Sequence, residues 1–245
     1  MEPIDWSRYR KVVFLTGAGV SVASGLRPYR GPGGLWEEQG LAELSDAASL
    51  AKNPAGVWSL FGALRPVALA AQPNAAHRAI AEFERLLTRD ARSCTVITQN
   101  VDGLHQRAGS VTVIEIHGSL FRTRCSNREC DLAPYRDEEA HVDAVPHCPR
   151  CGAVVRPDVV LFNEELPVDA EWGAKKALRG CDLFIAVGTS GTVWPAASYV
   201  NSAAYEGAHT ILVNLEPMHP RNAHFQEEIP GRAEEILPRL LGTAG

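Results

Sequence analysis

The sequence predicts an α/β protein: a doubly wound parallel sheet with a smaller zinc-ribbon plus helical lobe inserted into it. Two observations carry the sheet. Short, nearly continuous apolar runs recur along the chain, and helix-like stretches lie between them. A third carries the inserted lobe: four cysteines in two close pairs, inside a segment without any long helical pattern.

Strands are predicted at 11–16, 94–99, 111–116, 182–187 and 209–214, each apolar enough to be buried on both faces. The stretch 74–89 has an apolar stripe and starts just after Pro73, and 168–180 ends at Gly180. Residues 46–72 read as helical pieces broken at Pro54 and Pro66, because proline removes a helical hydrogen bond. The segment AEEILPRLLG makes a closing helix, and VRPDVVLF (155–162) a return strand of the inserted module. The predicted organisation is a main lobe of 1–36, 73–117 and 161–245. The small lobe combines a helical module, 37–72, with a metal-binding module, 118–160.

The 245 residues include 29 acidic side chains and 24 Lys plus Arg, a net charge of −5. Hydrophobic types are 45% and charged types 22%, the balance of a globular protein of one or two domains. No apolar run approaches the roughly 18 residues of a membrane span. The first residues lack the apolar region and cleavage site of a signal peptide, so a cytoplasmic protein is expected. The acidic balance argues against a general nucleic-acid binder but not against anionic ligands, which backbone amides can hold.

Cys125 and Cys130 are separated by four residues, Cys148 and Cys151 by two, with 17 residues between the pairs. Four thiolates fill a zinc tetrahedron and leave no position for a catalytic water, so a structural Zn²⁺ is expected. His147 stands beside Cys148 as a competing ligand, but four cysteines suffice without it. Cys94 and Cys181, at the mouths of apolar strands, read as buried small hydrophobes.

The first strand runs into Gly17-Ala18-Gly19-Val20-Ser21, where a Rossmann-like fold would turn tightly against a pyrophosphate. Alone, this fits a structural turn as well as a dinucleotide site, since Val22 takes the sixth, normally Gly or Ala, position. Polar clusters at the carboxyl ends of the other predicted strands shift the balance. They are Thr98-Gln99-Asn100-Val101-Asp102-Gly103, His117-Gly118-Ser119, Gly188-Thr189-Ser190 and Asn214-Leu215-Glu216. Ligands of open α/β sheets bind at that end.

Taken in order, GAGVSVASG, YRG, TQNVDGLH, IHGSL, the two cysteine pairs, VVLFNE, VGTSGTVWPAA and VNLEP resemble the signature segments of sirtuins. These are NAD-dependent protein lysine deacylases, and the resemblance, closest to the short bacterial members, spans residues 12 to 237. It implies NAD+ as co-substrate and acyl-lysine proteins or peptides as partners. The acyl oxygen would attack C1′ of the nicotinamide ribose, nicotinamide would leave, and His117 would deprotonate a ribose hydroxyl. Free lysine and O-acyl-ADP-ribose would result. Imidazole suits that base at neutral pH; a strand-end cap is the bland alternative for His117.

The resemblance also implies that Asn100 and Asp102 hold the nicotinamide ribose and carboxamide, though N-x-D-G is also good turn chemistry. Gln99 would bond the ribose. Ala18, Gly19 and Ser190 would meet the pyrophosphate, with Gly17 and Gly188 letting the backbone close in, and Thr189 would also bind the cofactor. Tyr29 and Arg30 would belong to the cofactor loop, Asn214 and Glu216 would contact the adenosine ribose, and Ala233 would lie near adenine. A substrate peptide would add as a strand between Val159-Val160-Leu161-Phe162-Asn163 and the segment reaching Val193. His77 and His105 read as structural, and His141, His209, His219 and His224 as surface residues.

Three departures from the pattern stand out. Arg27 and Tyr29 replace a Pro and a Phe of the cofactor loop, and Asn163 replaces a Gly beside the peptide. In the helical lobe, Phe61 and Leu64 occupy the positions of a Tyr/Arg pair that binds succinyl or malonyl carboxylates in other members. Without a guanidinium there, a buried carboxylate has no partner, and Arg65 is turned about 100° away. The expected activity is therefore deacetylation or removal of longer neutral acyl groups, with weak desuccinylation and demalonylation. The alternatives are a protein mono-ADP-ribosyltransferase, a non-catalytic NAD-binding module, and a zinc-ribbon nucleic-acid binder.

Overall fold

A computed structural model describes residues 2–30, 33–142 and 144–243; Gly31 of the cofactor loop lies outside them. In chain order the elements are β1 (Lys11–Thr16), α1 (Leu41–Leu44), α2 (Ala47–Lys52), α3 (Pro54–Ala70), α4 (Ala75–Arg89), β2 (Ser93–Thr98) and α5 (Leu104–Ala108). Then come β3 (Val113–Glu115), β4 (Gly118–Cys125), β5 (Tyr135–Arg136), β6 (Val155–Val159), α6 (Val168–Leu178) and β7 (Leu183–Val187). The chain closes with α7 (Tyr199–Tyr205), β8 (His209–Asn214), β9 (Glu227–Pro230) and α8 (Ala233–Leu240).

Six strands form one parallel sheet in the order β3-β2-β1-β7-β8-β9. Strand order reverses at β1, which places a crevice outside the carboxyl ends of β1 and β7. Side chains alternate across the sheet as a period of two requires. Val12, Phe14, Leu183 and Ile185 pack under α4 and α8, and Phe14 meets Phe83 edge-on at 6.1 Å. Val13, Leu15, Phe184 and Ala186 pack under α6 and α7. The smaller antiparallel sheet, β5-β4-β6, ends β4 on Cys125, with the other three cysteines in the adjoining loops, and joins α1–α3 through a separate apolar cluster.

The expected strands and inserted module are present, with corrections. Pro66 does not break the helix: α3 runs through it to Ala70. Proline costs one backbone bond, and burial of Val57, Trp58, Phe61, Arg65 and Ala68 on both sides keeps the helix together. The sixth strand, β9, the short helices α5 and α7, and the strand β4 add to the expected set.

Candidate active site and metal centre

Every strand-end cluster expected at the site lies along one edge of the large sheet. Gly17 follows β1, Gln99 to Asp102 follow β2, His117 follows β3, Gly188 to Ser190 follow β7, and Asn214 ends β8. The clusters are knitted together. Gln99 Nε2 donates to Thr189 Oγ1 (3.0 Å), Asn214 Nδ2 to the Thr189 carbonyl (3.4 Å), and Asn100 Nδ2 to the Gly17 carbonyl (3.1 Å). Gly188 has φ +58°, and a Cβ there would fall 2.5 Å from Val20 N; one on Gly17 would fall 2.6 Å from the Gly188 oxygen. The glycines of these two loops thus let the β1 and β7 ends touch each other, which shapes the crevice floor.

His117 is half-buried between the two sheets. Its Nδ1 lies 3.1 Å from the Gln99 carbonyl, which can only accept, so Nδ1 carries the proton. Nε2 keeps its lone pair and has no protein partner among the described residues. Burial holds the imidazole below its ordinary pKa, partly countered by the Gln99 carbonyl. Neutral imidazole with a free Nε2 is the state a general base needs.

Asp102 and Asn100 are buried. Burial raises the Asp102 carboxyl, while Leu104 N–H (2.9 Å) and Ser21 Oγ (2.7 Å) donate to it and offset part of that rise. Ser21 is a site residue the sequence reasoning passed over. Its hydroxyl also accepts from Asn100 Nδ2 (3.2 Å) and lies 3.4 Å from His77 Nε2. His77 Nδ1 accepts from Asn74 N–H (3.3 Å), so the bonds run Asn74 to His77 to Ser21 to Asp102. Its only sequence signal is position: a hydroxyl one turn after Gly17-Ala18-Gly19.

His77 and His105 are structural, as expected, with rings 4.9 Å apart and both fully enclosed. Burial pushes His77 down to about 4, with Arg78 adding to the effect, and burial with His77 beside it drives His105 well below its usual value. The unfolded chain therefore binds protons below about pH 6.5 that the folded chain refuses. The stability these groups carry is complete above about 6.5 and is lost as pH falls toward about 4. For His77 alone that is about 3 kcal/mol. Thermal melts should show a lower Tm at pH 5 than at pH 7.5, with a shallower acid slope in His77→Gln. Equal slopes in both proteins would remove these histidines as the cause.

The other expected cofactor residues lie in the chain after β1, β7 and β8 and at the start of α8. Tyr29 stacks on Trp36 (5.2 Å between ring centres), which meets Phe162 edge-on, and Arg30 lies 5.8 Å over Phe162. Burial and the Asp102 charge raise the Tyr29 phenol. Arg27 bonds Glu38 and the Gly33 carbonyl. Ala233 is buried at the start of α8, while Glu216 and Ser190 are exposed.

Of the expected substrate residues, Phe61, Leu64, Val159 and Leu161 meet in one apolar cluster with Tyr29, Val101 and Leu120. Val160 N–H donates to the His117 carbonyl (2.9 Å). Asn163 takes φ +65°, the left-handed region that Asn tolerates best after Gly, and its amide bonds Asp46. Val193 is half-buried, and its carbonyl accepts from Ala197 N–H (2.8 Å).

The four expected ligands Cys125, Cys130, Cys148 and Cys151 converge with all Sγ atoms within 4.8 Å of one another. The Cys125–Cys151 and Cys130–Cys148 separations are 3.5 and 3.7 Å. A tetrahedron with bonds of about 2.3 Å has edges of roughly 3.8 Å, so the sulfurs fit a zinc ion with no open position. Cys94 and Cys181 are buried in the core as expected. His141 is not a surface residue: it stacks edge-on against Trp58 at 4.9 Å and bonds Asp137.

The model of the Sir2 family matches residues 17–195. The chain is 43% identical over 235 residues to "NAD-dependent protein deacylase 2" of Pyrobaculum aerophilum, covering 95% of this chain and 90% of that protein. Among solved structures, a Sir2 homologue–NAD complex superposes with a TM-score of 0.87 at 37% identity, over 97% of this chain and 90% of that one. A Sir2–p53 peptide–NAD+ complex gives 0.80 at 31%, over 98% and 95%.

Proposed function

The chain belongs to the Sir2 family, and on that footing we propose an NAD-dependent protein lysine deacylase with His117 as general base and a preference for neutral acyl groups. The observation that carries the base is the Nδ1 contact with the Gln99 carbonyl, which leaves Nε2 as the only ring atom able to take a proton. NAD+ supplies the electrophilic ribose carbon to which the acyl oxygen transfers. Asp102, Asn100 and Ser21 form a buried polar set suited to the carboxamide and ribose, since Asp accepts from an amide NH2 and Asn both donates and accepts. The knitted loops after β1 and β7 suit the pyrophosphate. The cysteine tetrahedron suits a structural zinc, since four thiolates leave no position for a reacting group.

Acyl preference rests on the wall of the apolar cluster. Phe61 and Leu64 offer no donor to a carboxylate, and Arg65 is committed elsewhere, with its Nε on the Leu120 carbonyl at 2.7 Å. A succinyl carboxylate would be buried unpaired. The peptide, pairing by its main chain, would lie along Val160–Asn163 and Val193. Thiols spent on a metal set and on the core, with none in a disulfide, favour a cytoplasmic setting. The acidic net charge favours protein over nucleic-acid substrates.

The test is kcat/KM across acetyl-, butyryl- and succinyl-lysine peptides with NAD. Neutral acyl groups should exceed succinyl by about tenfold or more, a difference of about 1.4 kcal/mol. Leu64→Arg combined with Phe61→Tyr should narrow the gap. Faster cleavage of succinyl-lysine than of either neutral substrate would sink the specificity claim.

A further inference from the structure

Helix α3 has two faces. One, through Leu60, Phe61, Leu64 and Ala68, closes the apolar cluster proposed to receive the acyl chain. The other is gripped by the strap of chain between the two cysteine pairs. At Gly62 the strap's backbone presses directly on the helix, and a Cβ there would come within 1.9 Å of the Ala140 carbonyl oxygen. No side chain fits unless the strap moves.

Arg65, three residues on, has no exposed surface. All five of its N–H donors are engaged. Nε reaches the Leu120 carbonyl (2.7 Å), and Nη1 the Glu139 carbonyl (2.5 Å) and Asp137 (3.1 Å). Nη2 reaches the Arg122 carbonyl (3.2 Å) and Thr123 Oγ1 (2.8 Å). Asp137 also accepts from the Thr123 hydroxyl (2.6 Å) and from His141 Nε2 (3.0 Å). Trp58 lies under the guanidinium at 5.1 Å and donates to the Val155 carbonyl (2.8 Å).

This grip reaches the proposed pocket by bonds rather than by proximity alone. Leu120, whose carbonyl holds Arg65, puts its own side chain into the apolar cluster and its N–H on the Val101 carbonyl (2.9 Å). Val101 sits between Asn100 and Asp102. Strap, helix wall and cofactor-side loop are therefore one connected body.

We infer that the strap 137–141, seated at Gly62 and locked by Arg65, sets how closely the Phe61/Leu64 wall approaches Leu120 and so which acyl chain lengths the pocket admits. Gly62 and Arg65 are positioning residues. The inference rests on the deacylase reading for its substrate and on packing alone for its mechanism. Gly62→Ala adds one methyl at the strap contact and leaves the proposed catalytic residues untouched. Thr123→Val removes one partner of Arg65 and Asp137 without stranding a buried charge.

The experiment compares both variants, with Ala63→Ser on the exposed side of α3 as control, in two readouts. The first is the ratio of kcat/KM for butyryl- over acetyl-lysine peptide at saturating NAD. The second is amide hydrogen exchange over residues 57–68. Gly62→Ala should change the ratio by about threefold or more and raise exchange by about tenfold, Thr123→Val should do so by less, and Ala63→Ser should do neither. KM for NAD should stay within about twofold of wild type. A merely structural role would lower both acyl substrates in proportion, and a constant ratio in Gly62→Ala would overturn the inference. If wild type cleaves no acyl-lysine peptide, the deacylase reading and the acyl-length claim fall together. Unchanged exchange in Gly62→Ala overturns the seating itself, whatever the activity.

Discussion

His117→Ala should lower kcat/KM on acetyl-lysine peptide by about a hundred- to ten-thousand-fold, the usual worth of a positioned general base. The fold should survive the change, because among the described residues the side chain makes one hydrogen bond, to the Gln99 carbonyl. In the proposed reaction the base acts after nicotinamide has left, so acyl-dependent exchange of free nicotinamide into NAD should fall less than product formation. Burial lowers the imidazole pKa, so the acid limb of the kcat/KM profile should lie below the 6.5 of a free histidine. Steady-state kinetics beside a circular dichroism spectrum separate this outcome from misfolding. An undiminished rate in a folded variant would move the base elsewhere.

Cys148→Ser should have the largest effect on the fold. Structural zinc sites contribute apparent binding free energies of about 10–16 kcal/mol in small metal-folded domains, as much as the about 5–15 kcal/mol that holds a whole protein folded. The loss should be local. Cys148 packs with Trp58 and Val155, which tie the metal module to α3. Amide exchange should rise across 118–159 and in α3, while the six-stranded sheet keeps its protection. Metal analysis should find one zinc per wild-type chain and none in the variant. Cys94→Ser and Cys181→Ser should keep the zinc, since both thiols lie in the main core. Zinc retained by Cys148→Ser would mean another ligand set.

What could be read from the sequence follows burial. β1, β2, β7 and β8 are covered on both faces and so appear as nearly continuous apolar runs. β9 is a four-residue edge strand with only Ile229 buried, and its Glu227-Glu228-Ile229-Pro230 carries no apolar run. β4 mixes arginines with apolar residues because it belongs to a small sheet crossed by ion pairs of Arg122 and Arg124 with Asp158. The strand-end motifs were legible because their chemistry sits in contiguous residues. Ser21 and Arg65 were not, since each acts on groups brought near only by folding: Asp102 lies 81 residues from Ser21, and Thr123 lies 58 from Arg65. Helix geometry turns Arg65 away from the Phe61 and Leu64 face, but nothing local to it announces the five buried bonds its guanidinium makes.

Acyl transfer to ADP-ribose is tested most directly by a mass balance. NAD, enzyme and acetyl-lysine peptide should yield nicotinamide, deacetylated peptide and O-acetyl-ADP-ribose in equal amounts, with negligible nicotinamide when the acetyl group is left off. Nicotinamide released at the same rate without acetyl-lysine, with ADP-ribose attached to protein and no O-acetyl-ADP-ribose, would contradict it.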